Sequence, residues 1–205
     1  MSLITHPMLF LDIDGPFISR RAGYLDQSKV RDRLRKKLET SIKASGKDTS
    51  RIRIFDNLRL DVVFDPVAVS IVNHILKKAN AKFVVHSGWS GYFDRTLMKI
   101  ILKDQGIDCK YMHLDWTTPK KMSSHRGHEV GWWLNNHPEV NQFAIIDNDS
   151  YSFSHWPRLK AGFIEIPEKN GILYEHIDPI LKLLGVFKEQ PASKIDPDAW
   201  RGCIP

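Results

Sequence analysis

The sequence predicts an α/β fold, with a mostly parallel β-sheet between two layers of helices. Two observations support this class. Short apolar runs alternate with amphipathic stretches, and several of the apolar runs end in acidic or hydroxyl residues. The 205 residues, of which 42% are hydrophobic, suffice for one domain with a small insertion. With 10% aromatic residues as well, the composition is not that of a disordered chain.

Five apolar runs have the length and composition of strands that are buried on both faces. They lie at 8–13, 82–86, 107–114, 142–146 and 161–166. A loose alternation at 52–64 predicts one or two further strands within an insertion.

Apolar spacing predicts the helices that connect these strands. In 29–44, Val30, Leu34, Leu38 and Ile42 recur every fourth residue, which predicts a helix with a narrow apolar stripe and basic remaining faces. Further helices are predicted from the Asp65-Pro66 N-cap onward, from about 92 to Gln105, and at 127–135 and 173–184.

Positive charge is concentrated in one part of the chain. The net charge is +6, but residues 16–53 contain twelve Lys or Arg against four acids, a local net charge of +8. Such a block attracts polyanions through phosphate contacts, although a solvated helix face has the same composition. Both interpretations remain open from the sequence.

The sequence favours a soluble protein of the cytoplasm. No apolar run reaches the roughly 18–20 residues of a membrane span, and the first ten residues lack the pattern of a signal peptide. Two cysteines, Cys109 and Cys203, provide neither a disulfide framework nor a zinc site, and free thiols indicate a reducing compartment.

Polar residues follow three of the predicted strands. Asp12 and Asp14 follow the first strand and precede Gly15; Ser87-Gly88 follows the second, and Asp147-Asn148-Asp149 the fourth. Side chains two residues apart in extended chain point the same way, so the first two carboxylates can converge on a hard cation such as Mg²⁺. Alone, an Asp-x-Asp-Gly sequence is better explained by a simple turn.

The order of these motifs resembles the haloacid dehalogenase (HAD) superfamily of phosphohydrolases. A closer resemblance, to the HAD domain of "Swiss army knife" RNA-repair proteins, covers roughly 8–15 and 64–150. It rests on the strand-end motifs together with Phe64-Asp65-Pro66, Trp89, Gly106-Ile107, the run Arg126-Gly127-His128-Glu129-Val130, and Trp133-Leu134.

The resemblance implies a domain organisation. It implies a three-layer, Rossmann-like HAD core formed by 1–15 and 61–186. Between these parts, 16–60 would be a small basic cap, and 187–205 an extended C-terminal tail.

The resemblance also implies roles for the strand-end residues. Asp12 would be the nucleophile that forms an aspartyl-phosphate, and Asp14 the general acid and base. Mg²⁺ would be held by Asp12, Asp14 through its backbone carbonyl, and Asp147, with Asp149 taking part of the metal role because Asn148 carries no charge. Ser87 and Gly88 would bind the phosphate.

A cation should stabilise the transferred phosphoryl group. We assign this role to Arg126, which matches the subgroup, in preference to Lys120 or Lys121; Lys121 is also a candidate phosphate ligand. The superfamily usually has lysine here. Pro16 is a second departure, since a small aliphatic residue commonly follows Gly15.

Other residues have competing interpretations. His125 and His128 have the spacing of metal ligands on one helix face, but no third ligand is evident, and positions at the surface or beside the site explain them better. His86 could contact substrate or lie buried and hydrogen-bonded. Trp89 could stack on a nucleobase or pack in the core. Trp132 and Trp133 are better explained as core and core-edge residues of a helix than as a platform on which bases stack.

The expected function is a Mg²⁺-dependent phosphomonoesterase that acts on nucleotides or terminal phosphates of nucleic acids. Two alternatives remain: a catalytically weak HAD-fold module that binds nucleic acid through its basic insertion, and a small-metabolite phosphatase. The sequence predicts no membrane partner and does not indicate an oligomeric state.

Overall fold

The computed structural model describes residues 6–22, 28–45, 63–119 and 125–187. The strands predicted at 52–64 lie almost entirely outside these ranges. Lys120, Lys121, Cys203 and nearly all of the predicted tail also lie outside them.

A single five-stranded sheet forms the centre of the fold, in the order β3-β2-β1-β4-β5. Its strands are β1 (Met8–Leu11), β2 (Lys82–Val85), β3 (Met112–Thr117), β4 (Phe143–Asp147) and β5 (Phe163–Glu165). Every strand pairing among the described residues is parallel. This confirms the predicted α/β class and mostly parallel sheet.

Helices cover both faces of the sheet. Within the described ranges they are α1 (Ser28–Ala44), α2 (Pro66–Ala79), α3 (Arg95–Asp104), α4 (Arg126–Asn135), α5 (Tyr151–Ser154), α6 (Pro157–Ala161) and α7 (Ile177–Leu183). None of these helices has the length and apolarity needed to cross a membrane.

The alternation of side chains along the central strand separates two layers of core. Leu9 and Leu11 of β1 pack with α1, α2, α3 and α7 on one face of the sheet. Met8 and Phe10 pack on the other face with α4, α5 and α6. The sheet is therefore buried on both sides, which explains why its strands are continuous apolar runs.

Two local features differ from the sequence predictions. β3 begins at Met112 rather than at 107, because Cys109–Tyr111 forms a 3₁₀ turn, in which the Lys110 backbone N–H donates to the Asp108 carboxylate. The short helices α5 and α6 were not predicted, since four or five residues are too few to show an apolar period.

The basic helix α1 packs on the flank of α3. Leu34, Leu38 and Ile42 are buried in the same apolar cluster as β1. Arg33 lies 3.2 Å from the Asp104 carboxylate at the end of α3, and Lys37 pairs with the same carboxylate. The described part of the basic segment therefore shares the core of the sandwich through one face. The boundaries of a separate cap at 16–60 remain a prediction.

We expect the stability of the fold to fall as the pH drops below about 6.5, partly because of His113. Burial lowers the pKa of His113 from its ordinary 6.5, and His137 adds to this effect, whereas Asp115 and Glu139 oppose it only in part. The unfolded chain then binds a proton at higher pH than the folded chain, so acidification favours unfolding.

Urea unfolding of wild type and His113→Gln at pH 7.5 and 5.5 tests this contribution. The loss of unfolding free energy between the two pH values should be smaller in the variant. The exposed His74, changed to Gln, controls for the loss of an imidazole. An equal pH dependence in wild type and His113→Gln would contradict the prediction.

Candidate active site

The strand register brings Asp12, His86 and Asp147 to one level at the carboxyl edge of the sheet. Leu11 of β1 is paired with Val85 of β2 and with Ile146 of β4, so the residue after each lies at the same height. All three of these polar side chains are completely buried. Ligands of parallel α/β sheets bind beyond this edge, which makes it the candidate site.

Arg126 joins the two buried aspartates. It is the first residue of α4, and its Nη1 donates to Asp12 Oδ2 at 2.7 Å and to Asp147 Oδ1 and Oδ2 at 2.8 and 2.7 Å. Two buried carboxylates so close together would repel each other strongly without a cation. The structure thus brings Arg126 directly to the predicted nucleophile.

Asp147 is held by further hydrogen bonds. His86 Nε2 lies 2.8 Å from Asp147 Oδ2, and the backbone N–H of Asp149 donates to Oδ1, also at 2.8 Å. His86 is therefore a buried, hydrogen-bonded residue, which agrees with the second of the two interpretations given for it in the sequence analysis. Its role depends on a partner 61 residues away in the chain, which no local sequence signal reveals.

The two aspartates have opposite pKa shifts. Burial and the neighbouring Asp147 raise the pKa of Asp12, against the pull of Arg126. Burial alone would also raise the pKa of Asp147, but His86 and Arg126 hold it below its usual value. Burial disfavours the Arg126 cation as well, yet Asp12 and Asp147 more than compensate and raise its pKa.

One carboxylate oxygen of the site is left without a hydrogen bond. Asp12 Oδ1 is buried and has no hydrogen-bond partner among the described residues, while Arg126 fixes the other oxygen of the same carboxylate. A buried acceptor in this state is costly unless a ligand or reaction partner completes it. A ligand at this edge of the sheet would complete this acceptor.

Asp14 lies at the exposed mouth of the site, next to the turn that Gly15 makes. Gly15 has a φ of +95°, and a Cβ on it would lie 2.9 Å from Asn148 Cγ, so the loop after β1 packs directly against the loop after β4. Trp89 Nε1 donates to Asp14 Oδ2 at 3.1 Å. Partial desolvation raises the pKa of Asp14, although the bond from Trp89 lowers it.

Trp89 itself belongs to the core. Only 9% of the residue is exposed, and its ring packs near Phe64 and Phe93, with centroids 6.3 and 6.0 Å away. The structure favours the core-packing interpretation of Trp89 over base stacking. The sequence did not indicate its second role, the hydrogen bond that orients Asp14.

Ser87 and Gly88 follow β2 directly after His86. Ser87 is buried and begins the 3₁₀ turn Gly88–Gly91, with its Oγ accepting a long, 3.5 Å bond from the Trp89 backbone. A Cβ placed on Gly88 would meet no atom within 4 Å. The backbone here therefore faces space into which a ligand can fit.

Comparison with known families agrees with this geometry. The model of the family described as "HAD domain in Swiss Army Knife RNA repair proteins" matches residues 8–177. The chain belongs to this family. No curated protein and no solved structure matches it. Membership confirms the resemblance stated above and identifies the chain as a HAD-fold hydrolase domain with the Rossmann-like core of that superfamily.

The donors at this HAD site suit Mg²⁺, the ion that enzymes of the superfamily generally use. Asp12 and Asp147 converge on a single nitrogen, and Asp12 Oδ1 is an uncommitted hard donor. Magnesium is commonly held by one or two carboxylates, with water and phosphate completing its shell. Within the described ranges no three His, Cys, Asp or Glu side chains form a metal cluster, so further ligands would have to be backbone carbonyls or solvent.

Asp149, the other candidate metal ligand, faces a helix. Its carboxylate accepts hydrogen bonds from Ser152 N at 3.3 Å and from Ser152 Oγ at 2.6 Å, and its backbone holds Asp147. A metal role for Asp149 remains a prediction. Lys121, the alternative phosphate ligand, lies outside the described residues, as does Lys120.

Gly127 positions Arg126, a role that the sequence analysis missed. A Cβ on Gly127 would lie 2.2 Å from the Ser152 carbonyl oxygen, so only glycine lets the start of α4 approach α5 this closely. One sequence feature could have indicated this role: Gly127 lies in the first turn of a predicted helix. Glycine there lowers helix stability by up to about 1 kcal/mol relative to alanine, which suggests a steric reason for it.

We expect Gly127→Ala to destabilise the protein by roughly 1–3 kcal/mol, because the added methyl group must push α4 away from Ser152. The same displacement should move Arg126 off Asp12 and Asp147. Urea unfolding measures the first effect, and a crystal structure of the variant the second.

Gly131→Ala is the matched control within the same helix. Its Cβ would lie 3.8 Å from Leu159 Cδ1, an ordinary contact, so the helix should gain or keep stability. Equal unfolding free energies for the two variants would show that the close approach at Gly127 does not matter.

Proposed function

We propose that this HAD domain is a phosphomonoesterase in which Asp12 is the nucleophile. The observation that carries the proposal is the Asp12 carboxylate: Oδ2 is fixed by Arg126, and Oδ1 is buried without a hydrogen-bond partner among the described residues. A nucleophile held in one orientation with one oxygen uncommitted needs little reorganisation before it attacks.

The reaction follows from the side chains around this oxygen. Asp12 Oδ1 attacks phosphorus and forms a P–O bond, the bond to the leaving oxygen breaks, and the Asp14 carboxyl donates its proton to that oxygen. Asp14, now ionised, takes a proton from water, and the resulting hydroxide attacks phosphorus, releases inorganic phosphate and frees Asp12. Trp89 holds Asp14 in place through both steps.

Three groups would bind the phosphoryl oxygens. Arg126 supplies a cation directly beside Asp12, Gly88 supplies backbone next to open space, and Ser87 supplies a buried hydroxyl group. Mg²⁺, held by the Asp12 and Asp147 carboxylates and the Asp14 carbonyl, would neutralise phosphate charge. Arg126 would then have to release at least part of its contact with these carboxylates.

The substrate class that we propose is a nucleotide or the terminal phosphate of a nucleic acid. The family description places related domains in RNA-repair proteins. The outer face of α1 adds exposed cations that suit a polyanion, including Arg35, Lys36 and Lys43. In a small-metabolite phosphatase these cations would only face solvent.

Asp12→Asn should lower phosphate release by roughly 10³-fold or more, because an amide cannot form the acyl phosphate. We would measure release from mononucleotides, 3′- and 5′-phosphorylated oligonucleotides and sugar phosphates, with and without Mg²⁺. Asp115→Asn, at an exposed aspartate on β3, should match wild type.

The panel distinguishes the alternatives. Release that is as fast from sugar phosphates as from nucleotides would indicate a small-metabolite phosphatase. No release from any substrate by folded wild type, together with salt-sensitive oligonucleotide binding that survives Asp12→Asn, would indicate the binding module instead.

A further inference from the structure

An aromatic groove lies between α4 and α6, on the outer side of the layer that carries Arg126. Its volume is about 350 Å³, and Trp132 and Trp156 line it together with His128, Pro157, Arg158 and Leu159. The two tryptophans are 40% and 41% exposed. Two half-exposed indoles in one concave surface are unusual for a surface that only meets solvent.

The groove begins within one helical turn of the active site. His128 is two residues beyond Arg126 in α4, and its ring lies 5.0 Å from that of Trp156 in edge-to-face contact. Trp156 Cδ1 would lie 3.2 Å from a Cβ on Gly127, next to Arg126. The groove therefore lies next to the start of α4, the helix terminus that brings Arg126 to Asp12.

The charges around the groove favour an anion. None of its lining residues is acidic. Arg158 and Lys160 of α6 are exposed, and the only acid of α4, Glu129, is buried against Thr118. Exposed aromatic rings with a cationic border are the combination that binds single-stranded nucleic acid, since bases stack on the rings and cations contact the phosphates.

We propose that this groove, lined by Trp132 and Trp156, binds an unpaired nucleotide of the strand whose terminal phosphate is hydrolysed at Asp12. The base stacks on an indole ring, and Arg158 contacts the backbone phosphate. This inference rests on the proposed function and narrows its substrate to single-stranded ends. A peptide or a sugar ring could also contact tryptophan, but neither requires the arginine and the lack of acidic side chains that the lining of the groove shows.

Oligonucleotide binding tests the groove directly. The probe is a fluorescein-labelled single strand of eight nucleotides with a terminal phosphate, titrated in the Asp12→Asn background so that no turnover occurs. Trp132→Ala and Trp156→Ala should each weaken binding about five- to hundredfold, the range that corresponds to the loss of one base stack. Tyr174→Ala, at a 72% exposed aromatic outside the groove, is the control.

Two further measurements separate stacking from a loss of structure. Trp156→Phe should recover part of the affinity that Trp156→Ala loses, because phenylalanine retains a ring that can stack. An abasic strand of equal length and charge should bind wild type as weakly as the normal strand binds the alanine variants. Affinities equal to wild type in both alanine variants, or equal binding of the abasic strand, would overturn the proposal.

Hydrolysis by the variants with an intact Asp12 distinguishes this proposal from the proposed function. In the tryptophan variants, the ratio of kcat/KM for the phosphorylated oligonucleotide to that for p-nitrophenyl phosphate should fall at least fivefold. A different result is that wild type hydrolyses neither compound and yet binds the oligonucleotide in a way that tryptophan substitution abolishes. That result would support base binding in the groove and contradict the proposed phosphatase activity. If both compounds are hydrolysed and the ratio of the kcat/KM values is unchanged in the tryptophan variants, base binding in the groove is contradicted while the phosphatase activity is supported.

Discussion

The site depends on the contact of one guanidinium with two buried carboxylates. The parallel register places Asp12 and Asp147 side by side, and both side chains are fully buried, where two negative charges strongly destabilise each other unless a cation compensates them. Arg126 removes this conflict through a single nitrogen within 2.8 Å of three carboxylate oxygens. Arginine suits the position because it keeps its charge when it is buried, whereas a lysine loses its proton more readily.

This contact also makes Arg126 a competitor of any other cation. A divalent ion held by both aspartates would have to use oxygens that Arg126 now contacts, so the guanidinium and the ion share a limited set of donors. Asp12 Oδ1 is the exception, since Arg126 does not reach it. The backbone around Arg126 is correspondingly constrained: Gly127 fixes the start of α4 against Ser152, and Asp149 holds both Asp147 and Ser152.

The sequence predicted the features that depend on local pattern. Buried parallel strands show as apolar runs, and the position of Asp12 and Asp147 directly after such runs identified the edge where they meet. The family resemblance identified Arg126 as the cation of the site. It did not predict that Arg126 contacts both aspartates at the same time. His86 and Trp89 act through partners 61 and 75 residues away, and Gly127 acts through a carbonyl of another helix. Such contacts exist only once the chain has folded, so spacing and composition do not reveal them.

The two surfaces that we propose to contact nucleic acid lie in different layers of the sandwich. The basic helix α1 belongs to the layer of α2, α3 and α7, whereas the groove lined by Trp132 and Trp156 belongs to the layer of α4 and α6, on the other face of the sheet. Arg126 begins α4, so the groove lies beside the helix that brings this cation to Asp12. In the proposed function, the groove would contact the nucleotide next to the hydrolysed end, whereas α1 would contact a part of the strand on the other face of the sheet.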